Sequence, residues 1–424
     1  MKVSQDIANT IVDPRAYADG RRVDEAFTWL RREAPLAVVE PWGFRPFWAV
    51  TRHGDIQDVE RRNDVFHNGD TFTTLTTVEA GESVLRMTGG SPHLVRSLVQ
   101  MDNPDHFNYR HLTQSWFLPQ NLRKLEGRIR EIAREFVDRM AAHGETCDFA
   151  RDVAFLYPLH VIMEVIGVPE RDERLMLKLT QELFGAADPE VNRTGSAIED
   201  AEKGVASIQA TVAELMAYFT DMSENRRKAP REDLATVIAN AKIAGEPLGV
   251  FEALSYYIIA ATAGHDTTSN TTAGGMWAML DNPAQFEKVK GDLSLIPRMV
   301  EESIRWVTPV KHFMRSATQD TEVGGVKIAK GDWMMLCYPS GNRDEAVFTD
   351  PFTFDVERAV NKHVAFGYGA HVCLGQHLAR MEMRILWEEL LPRVTSIELD
   401  GQPRNTEANF VCGPKSVPVR FKMN

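Results

Sequence analysis

The chain has 424 residues, enough for one large core or two to three ordinary domains. With 43% hydrophobic and 25% charged residues, its composition is that of a folded globular protein, not a disordered one. A formal charge of −12 argues against a general nucleic-acid binder, and no apolar run is long enough to span a bilayer.

The N-terminal MKVSQDIANTIVDPR lacks the basic-then-apolar order of a signal peptide, so a cytoplasmic location is expected. Apolar residues three and four apart predict helices near 24–34, 121–142, 149–166, 199–226, 249–280, 295–307 and 374–391, most bounded by Pro, Gly, Asp or Asn. Strands are expected near 37–40 and 47–51, and within 322–338, where VGGVKIAKGDWMML alternates around a glycine turn. Residues 67–102, rich in Thr, Gly and Ser, and residues 186–198 read as long connections and hence as candidate substrate gates. No repeat or Pro/Ser-rich linker divides the chain. The expectation is a mainly α fold, one large helical domain over 1–424 with a small β portion.

Four segments carry chemistry. Asp102-Asn-Pro-Asp-His106-Phe-Asn-Tyr-Arg110 predicts a helix start capped by Asp102, with His106 and Arg110 one turn apart and able to meet one anion. Ala263-Gly264-His265-Asp266-Thr267-Thr268 puts poor helix formers inside a long apolar helix, since Gly costs about 1 kcal/mol against Ala and Thr can bond back to the preceding turn. The flanks YYIIAATAG and GGMWAML read as buried, so a local distortion that admits water is expected there rather than a solvated face. Glu302-Ser-Ile-Arg305 places a carboxylate and a guanidinium on one helical face; for such a pair alone, a solvated surface ion pair is the plainer reading.

The fourth segment is Phe366-Gly-Tyr-Gly-Ala-His-Val-Cys373-Leu-Gly375. The four cysteines, Cys147, Cys337, Cys373 and Cys412, show neither CxxC nor nearby histidine spacing, so neither a disulfide framework nor a zinc site is indicated. Cys373 differs from the others in closing a glycine-rich loop just before a helix, where dipole and free N–H groups favour thiolate. Gly375 lets a backbone N–H approach the sulfur. GYGAHV is not a dinucleotide fingerprint, because its sixth residue is Val and no βαβ unit surrounds it.

FGYGAHVCLG resembles the haem-binding signature of the cytochrome P-450 monooxygenases, and the other segments occur in that family's order. The resemblance implies haem b with Cys373 as the iron ligand, in a loop that includes Phe366, Gly367 and Gly375, beside a helix presenting Ala263 and Gly264. It implies that His106, Arg110, Arg315 and His371 hold the haem propionates. It also implies a buried structural triad of Glu302, Arg305 and Arg358, the last from Phe354-Asp-Val-Glu-Arg358. Asp266 and Thr267 match the acid–alcohol pair of the family, Thr267 to hydrogen-bond dioxygen and Asp266 to relay protons through water.

Further implications concern partners. O2 is the expected co-substrate, with NAD(P)H electrons arriving through a reductase and an acidic iron–sulfur ferredoxin, because the motifs leave no residues for a fused reductase. Arg110, His111, Arg123, Lys124, Arg128, Lys362, His377 and Arg380 are candidates for a basic docking face on an expected monomer. Family positions for the substrate pocket are Leu94, Leu98, Val99, Ile259, Thr262, Ala263, Phe313, Phe410 and Val411, each of which has ordinary core packing as its alternative. YPLHVIMEVIGVPE, LMLKLTQELFG, AGHDTTS and CLGQHLARMEM are most similar to bacterial terpenoid-hydroxylating members, which implies a monoterpenoid or alkyl-aromatic substrate. A steroid or fatty-acid hydroxylase, and a non-catalytic haem-thiolate ligand-binding protein, remain as alternatives.

Overall fold

Helix accounts for 54% of the structure and strand for 13%, so the fold is mainly α with a small β portion, as the periodicity predicts. The structure, a computed structural model, describes residues 2–196 and 200–424. The helices that position the site are α1 (Arg21–Glu33), α2 (His53–Arg61), α3 (Val78–Thr88), α4 (Asp105–Gln114), α5 (Leu156–Ile166), α6 (Glu173–Phe184), α7 (Ala201–Lys228), α8 (Val250–Ala263), α9 (Asp266–Asp281), α10 (Ile296–Val307) and α11 (Gln376–Leu390). Helices α8 and α9 replace the single segment expected over 249–280. The chain breaks at Gly264 and His265, where the poor helix formers lie, and resumes at Asp266.

Helix α9 is buried on nearly every side, including Thr268, Ser269, Asn270, Thr271 and Thr272. Thr271 and Thr272 donate their hydroxyls 2.8 Å back to the carbonyls of Thr267 and Thr268, which satisfies them without water. Gly274 and Gly275 let α10 pack closely: a Cβ at 275 would stand 2.7 Å from Ser303 Oγ, and one at 274 would strike Val307. The largest apolar cluster surrounds these helices and takes in Leu159, Ile162, Phe219, Tyr257 and Trp387.

Strands β1 (Leu36–Val39), β2 (Phe47–Val50), β3 (Phe66–His67), β4 (His312–Ala317) and β5 (Trp333–Cys337) form one sheet in the order β1-β2-β5-β4-β3. Its register sets Arg315 opposite Met334 and Phe313 opposite Leu336, which carries both side chains to the edge of the site.

Three expectations need correction. Residues 67–102 are not one long connection, since α3 occupies their middle. Thr77 caps it, accepting from Ala80 N at 3.2 Å, and Gly89 ends it in the left-handed region. The described part of 186–198 is pinned rather than free: the Asp188 carboxylate, fully buried, accepts from Lys415 Nζ at 2.7 Å and from Glu407 N at 3.0 Å. Residues 197 and 198 of that stretch lie outside the described residues. Asp102 does not cap α4. Its carboxylate accepts from Asn68 N and Gly69 N, each at 2.8 Å, and so ties the chain after β3 to the start of α4.

Candidate active site

A cavity between α8–α9 and the loop before α11 is lined by Cys373 and Thr267 together, with Leu98, Ile259, Ala263 and Phe313 among its apolar residues. Gly367 and Gly369 both adopt φ +68°, a conformation that costs an L side chain roughly 1–2 kcal/mol. The turns they allow bring Cys373 N 2.8 Å from Phe366 O. The Cys373 side chain is exposed, and it lines the cavity.

Burial pushes the Cys373 thiol up, against the opposing effects of the Gly375 N–H, the Arg110 and Arg380 charges and the Gln376 N–H. The N–H groups at the helix start and the two guanidiniums act toward the thiolate, and a coordinated cation would add to them, because a metal-bound thiol is deprotonated outright.

On α8 and α9, Ala263, Gly264 and Thr267 line the cavity. A Cβ on Gly264 would collide with the Ala260 carbonyl and with Ile162. Thr267 Oγ1 donates 3.2 Å to Ala263 O, spanning the break. Asp266 is not among the lining residues. Its buried carboxyl faces His265, and burial holds its pKa above the usual carboxylate range despite the opposing effects of His265 and Thr180.

A third group is cationic. Arg110 and His106 of α4, Arg315 of β4 and His371 converge on the cavity, with the two imidazole centroids 3.9 Å apart. Burial and the charges of Arg110 and Arg315 push His106 down to about 4, and burial, Arg315, His106 and Arg110 push His371 down to about 2. The Nε2 atoms of both histidines are buried without hydrogen-bond partners. Sequence reasoning missed the anion here, Glu60, whose Oε1 lies 3.5 Å from Arg315 and accepts from Tyr338 Oη at 2.7 Å. It sits inside α2, 255 residues from Arg315, with no local pattern to mark it. Glu382 was missed as well: it lines the cavity, and burial raises its carboxyl well above the ordinary range.

Outside the cavity, Glu302 accepts from Arg305 Nε and Nη2 at 2.8 and 2.7 Å and from Arg358 Nε at 3.1 Å. Asp355 N and Asn361 Nδ2 complete its shell at 2.9 and 3.1 Å. Glu302 and Arg305 are fully buried, so the solvated surface pair is ruled out.

Of the substrate positions, Leu98, Val99, Ile259, Ala263 and Phe313 line the cavity, whereas Leu94, Thr262, Phe410 and Val411 do not. Thr262 is turned into its own helix, donating 2.8 Å to Ile258 O. Phe410 stands behind Phe313, centroids 5.4 Å apart, and Val411 pairs its backbone with Val310. Ile162, Tyr256 and Val310 line the cavity without having been picked out from sequence.

The expected basic face is also thinner than predicted. Arg128 is bound to Glu164 at 2.8 Å and Glu131 at 3.2 Å, and Arg380 to Glu301. His111, Arg123, Lys124, Lys362 and His377 remain exposed.

These residues fit a planar, dianionic, metal-bearing macrocycle. A soft thiol faces the cavity, apolar side chains flank it, and two guanidiniums with two partnerless imidazole nitrogens offer more positive charge and donors than Glu60 satisfies.

The sequence model for cytochrome P450 matches residues 80–421. Cytochrome P450-terp from a Pseudomonas species is 44% identical over 99% of this chain and 98% of its own length. Linalool 8-monooxygenase from Pseudomonas putida is 32% identical, covering 93% of this chain and 94% of its own. The crystal structure of CYP108D1 from Novosphingobium aromaticivorans superposes with a TM-score of 0.91 at 45% identity, covering 100% of this chain and 99% of that one. The chain belongs to the cytochrome P450 family. Within that family of haem enzymes it is a monooxygenase, and among the described residues no helix is long and apolar enough to cross a membrane.

Proposed function

We propose that this monooxygenase hydroxylates an unactivated carbon of a small apolar substrate, a monoterpenoid or alkyl-aromatic compound, as one haem domain spanning the chain and fed by a ferredoxin. The observation that carries the reading is the sharing of one largely apolar cavity by Cys373, Thr267 and the cationic group. Haem, when bound, supplies the chemistry of dioxygen activation.

In this reading Cys373 would hold the haem iron through its sulfur, and Arg110, Arg315, His106 and His371 would hold the two propionates through charge-assisted hydrogen bonds. Phe313, Ile259, Leu98 and Val99 exclude water and orient the substrate by shape. Thr267, whose hydroxyl bridges the helix break, can exchange its bond to Ala263 O for one to dioxygen. Asp266 supplies protons after turning from His265 toward the break. The terpenoid names of two relatives support the substrate class. The exposed bases His111, Arg123, Lys124, Lys362 and His377 suit an acidic donor protein, so reduction should slow as salt rises.

Two measurements test this. Cys373→Ser is expected to abolish the red-shifted Soret band of the ferrous carbonmonoxy form, and its retention would refute the ligand assignment. A spectral screen for the low-spin to high-spin shift is expected to respond to monoterpenes or alkylbenzenes; a strong response to steroids or fatty acids alone would overturn the substrate class.

A further inference from the structure

Asn68 directly follows β3, and its backbone is held on both sides. Its N–H and that of Gly69 donate to the Asp102 carboxylate at 2.8 Å, and its carbonyl accepts from Thr73 Oγ1 at 3.4 Å. Gly69 permits the close approach, since a Cβ there would collide with the Gln100 carbonyl. The Asn68 side chain is buried and lines the haem cavity beside His371, His106, Arg110 and Arg315.

The amide nitrogen of Asn68 meets two acceptors, Val99 O at 3.2 Å and His371 Nδ1 at 3.4 Å. A peptide carbonyl only accepts, so the end of the amide that faces Val99 is the nitrogen; the reversed amide would set two oxygens against each other. An amide nitrogen only donates. His371 Nδ1 is therefore the acceptor in its contact, and the ring hydrogen sits on Nε2. That Nε2 is buried with no protein partner among the described residues. His106 packs against the same ring, centroids 3.9 Å apart, and restricts its plane.

The other end of the amide points to a role beyond packing. Asn68 Oδ1 is buried without a partner among the described residues, an unfavourable state for an acceptor. A leucine would fill a similar volume and leave no such atom. What asparagine adds is the donor that His371 Nδ1 receives.

We infer that Asn68 is a cofactor-positioning residue: by donating to His371 Nδ1 it fixes the ring hydrogen on Nε2, and so presents an N–H to the carboxylate that Arg110 and Arg315 would bind. The inference rests on the haem reading above, in which that carboxylate is a propionate. Without Asn68 the ring hydrogen is free to move to Nδ1, which would turn a lone pair toward the carboxylate and set acceptor against acceptor.

Nitrogen NMR of protein carrying nitrogen-15-labelled histidine tests the assignment, the His371 signals being identified by their loss in His371→Phe. Both the haem-free chain and the ferrous carbonmonoxy form are expected to carry the His371 hydrogen on Nε2 and none on Nδ1. Haem transfer to an acceptor protein gives a second readout. Asn68→Leu should speed transfer about tenfold, the effect of one lost hydrogen bond to a charged group. In the His371→Phe background the same change should speed it less than about twofold, because the partner is already gone. A residue that only packs would speed transfer equally in both backgrounds. If Asn68→Leu fails to fold, the wild-type nitrogen spectrum decides alone. Hydrogen on Nδ1 in the wild type, or equal acceleration in both backgrounds, overturns the role of Asn68. Failure of the wild type to bind haem overturns the haem reading instead, and the haem-free spectrum still decides which nitrogen Asn68 selects.

Discussion

His265 Nε2 lies 3.3 Å from Asp266 Oδ1, two neighbours whose side chains meet because the helix breaks between them. His265 Nδ1 sits 2.9 Å from Ala261 O, donating where the backbone bond of an unbroken helix would lie, and Nε2 is 3.1 Å from Thr180 Oγ1 of α6. The imidazole thus closes the broken ladder, touches the helix packed above it and holds the acid that the proposed relay needs. Asp266→Asn is expected to lower turnover by about 100-fold, within the usual range for a positioned acid, with the substrate-induced spectral shift unchanged. Its Oδ2 has no partner, so the amide can be accommodated. Wild-type coupling of reductant to product in that variant would remove Asp266 from the mechanism.

His265 is a positioning residue in this account, tested by a pH profile. Burial is the main cause of the raised Asp266 pKa, and His265 opposes it. His265→Asn keeps a side chain able to bond Ala261 O but removes the potential charge, so the Asp266 pKa should rise further. The limb of the turnover profile that reports Asp266 is expected to move to higher pH. A profile that stays in place would assign His265 to helix closure alone.

The broken helix, the carboxylate–guanidinium pair and the cysteine loop were legible in sequence because each is local, with poor helix formers between apolar flanks, charges three apart, or glycines beside a thiol. What could not be read was tertiary. Glu60 looks like one more polar residue on an amphipathic helix, and only the packing of α2 under the cysteine loop buries it beside Arg315. Arg128 and Arg380 looked free because Glu164 and Glu301, which engage them, are 36 and 79 residues away. Helix α3 escaped notice because the Thr-rich stretch 71–77 before it and Gly89-Gly-Ser91 after it give the surroundings the composition of a loop, although Gly81 is where the Phe72 ring packs.

Glu302→Gln should leave Arg305 and Arg358 buried beside a neutral amide. Breaking a buried ion pair by removing one partner costs about 3–5 kcal/mol, the cost lying in the uncompensated charge. The variant is expected to lose that much in denaturant unfolding and to load haem poorly. Arg358→Lys keeps charge but not the fork that also reaches the carbonyls of Thr349 and Thr353 at 2.7 and 2.8 Å, so a smaller loss in the same direction is expected.

Glu60 gives a pH signature. Burial raises its carboxyl to about 7, with Arg315, Tyr338 and the Tyr368 backbone opposing. The folded state binds this proton more tightly than the unfolded chain, so the associated stability is present below the unfolded value near 4.5 and is lost as pH rises toward 7. The shift corresponds to about 3 kcal/mol at most. Glu60→Gln should flatten that part of the stability–pH curve, with the difference between the two proteins growing from pH 4.5 to 7. Parallel curves for wild type and variant would place the titration elsewhere.

Two glycines of the cysteine loop make opposite demands. A Cβ on Gly369 would stand 2.5 Å from the Glu60 carbonyl oxygen and 3.3 Å from Arg61 Cα, backbone atoms of α2 that cannot rotate away. With φ +68° added, Gly369→Ala should cost about 2–5 kcal/mol and loosen the loop that carries Cys373. Gly375 is different. Its φ is −84°, and a Cβ there would meet only Cys373 Sγ, at 4.0 Å. The protein itself therefore leaves room for a Cβ at 375, and because Gly375 lines the haem cavity the added methyl would reduce the space left there for the proposed group. Gly375→Ala should leave the unfolding free energy of the haem-free chain unchanged within about 0.5 kcal/mol while weakening haem retention. Equal losses in both variants, measured as unfolding of the apoprotein and as haem transfer to an acceptor protein, would show that packing alone sets both positions.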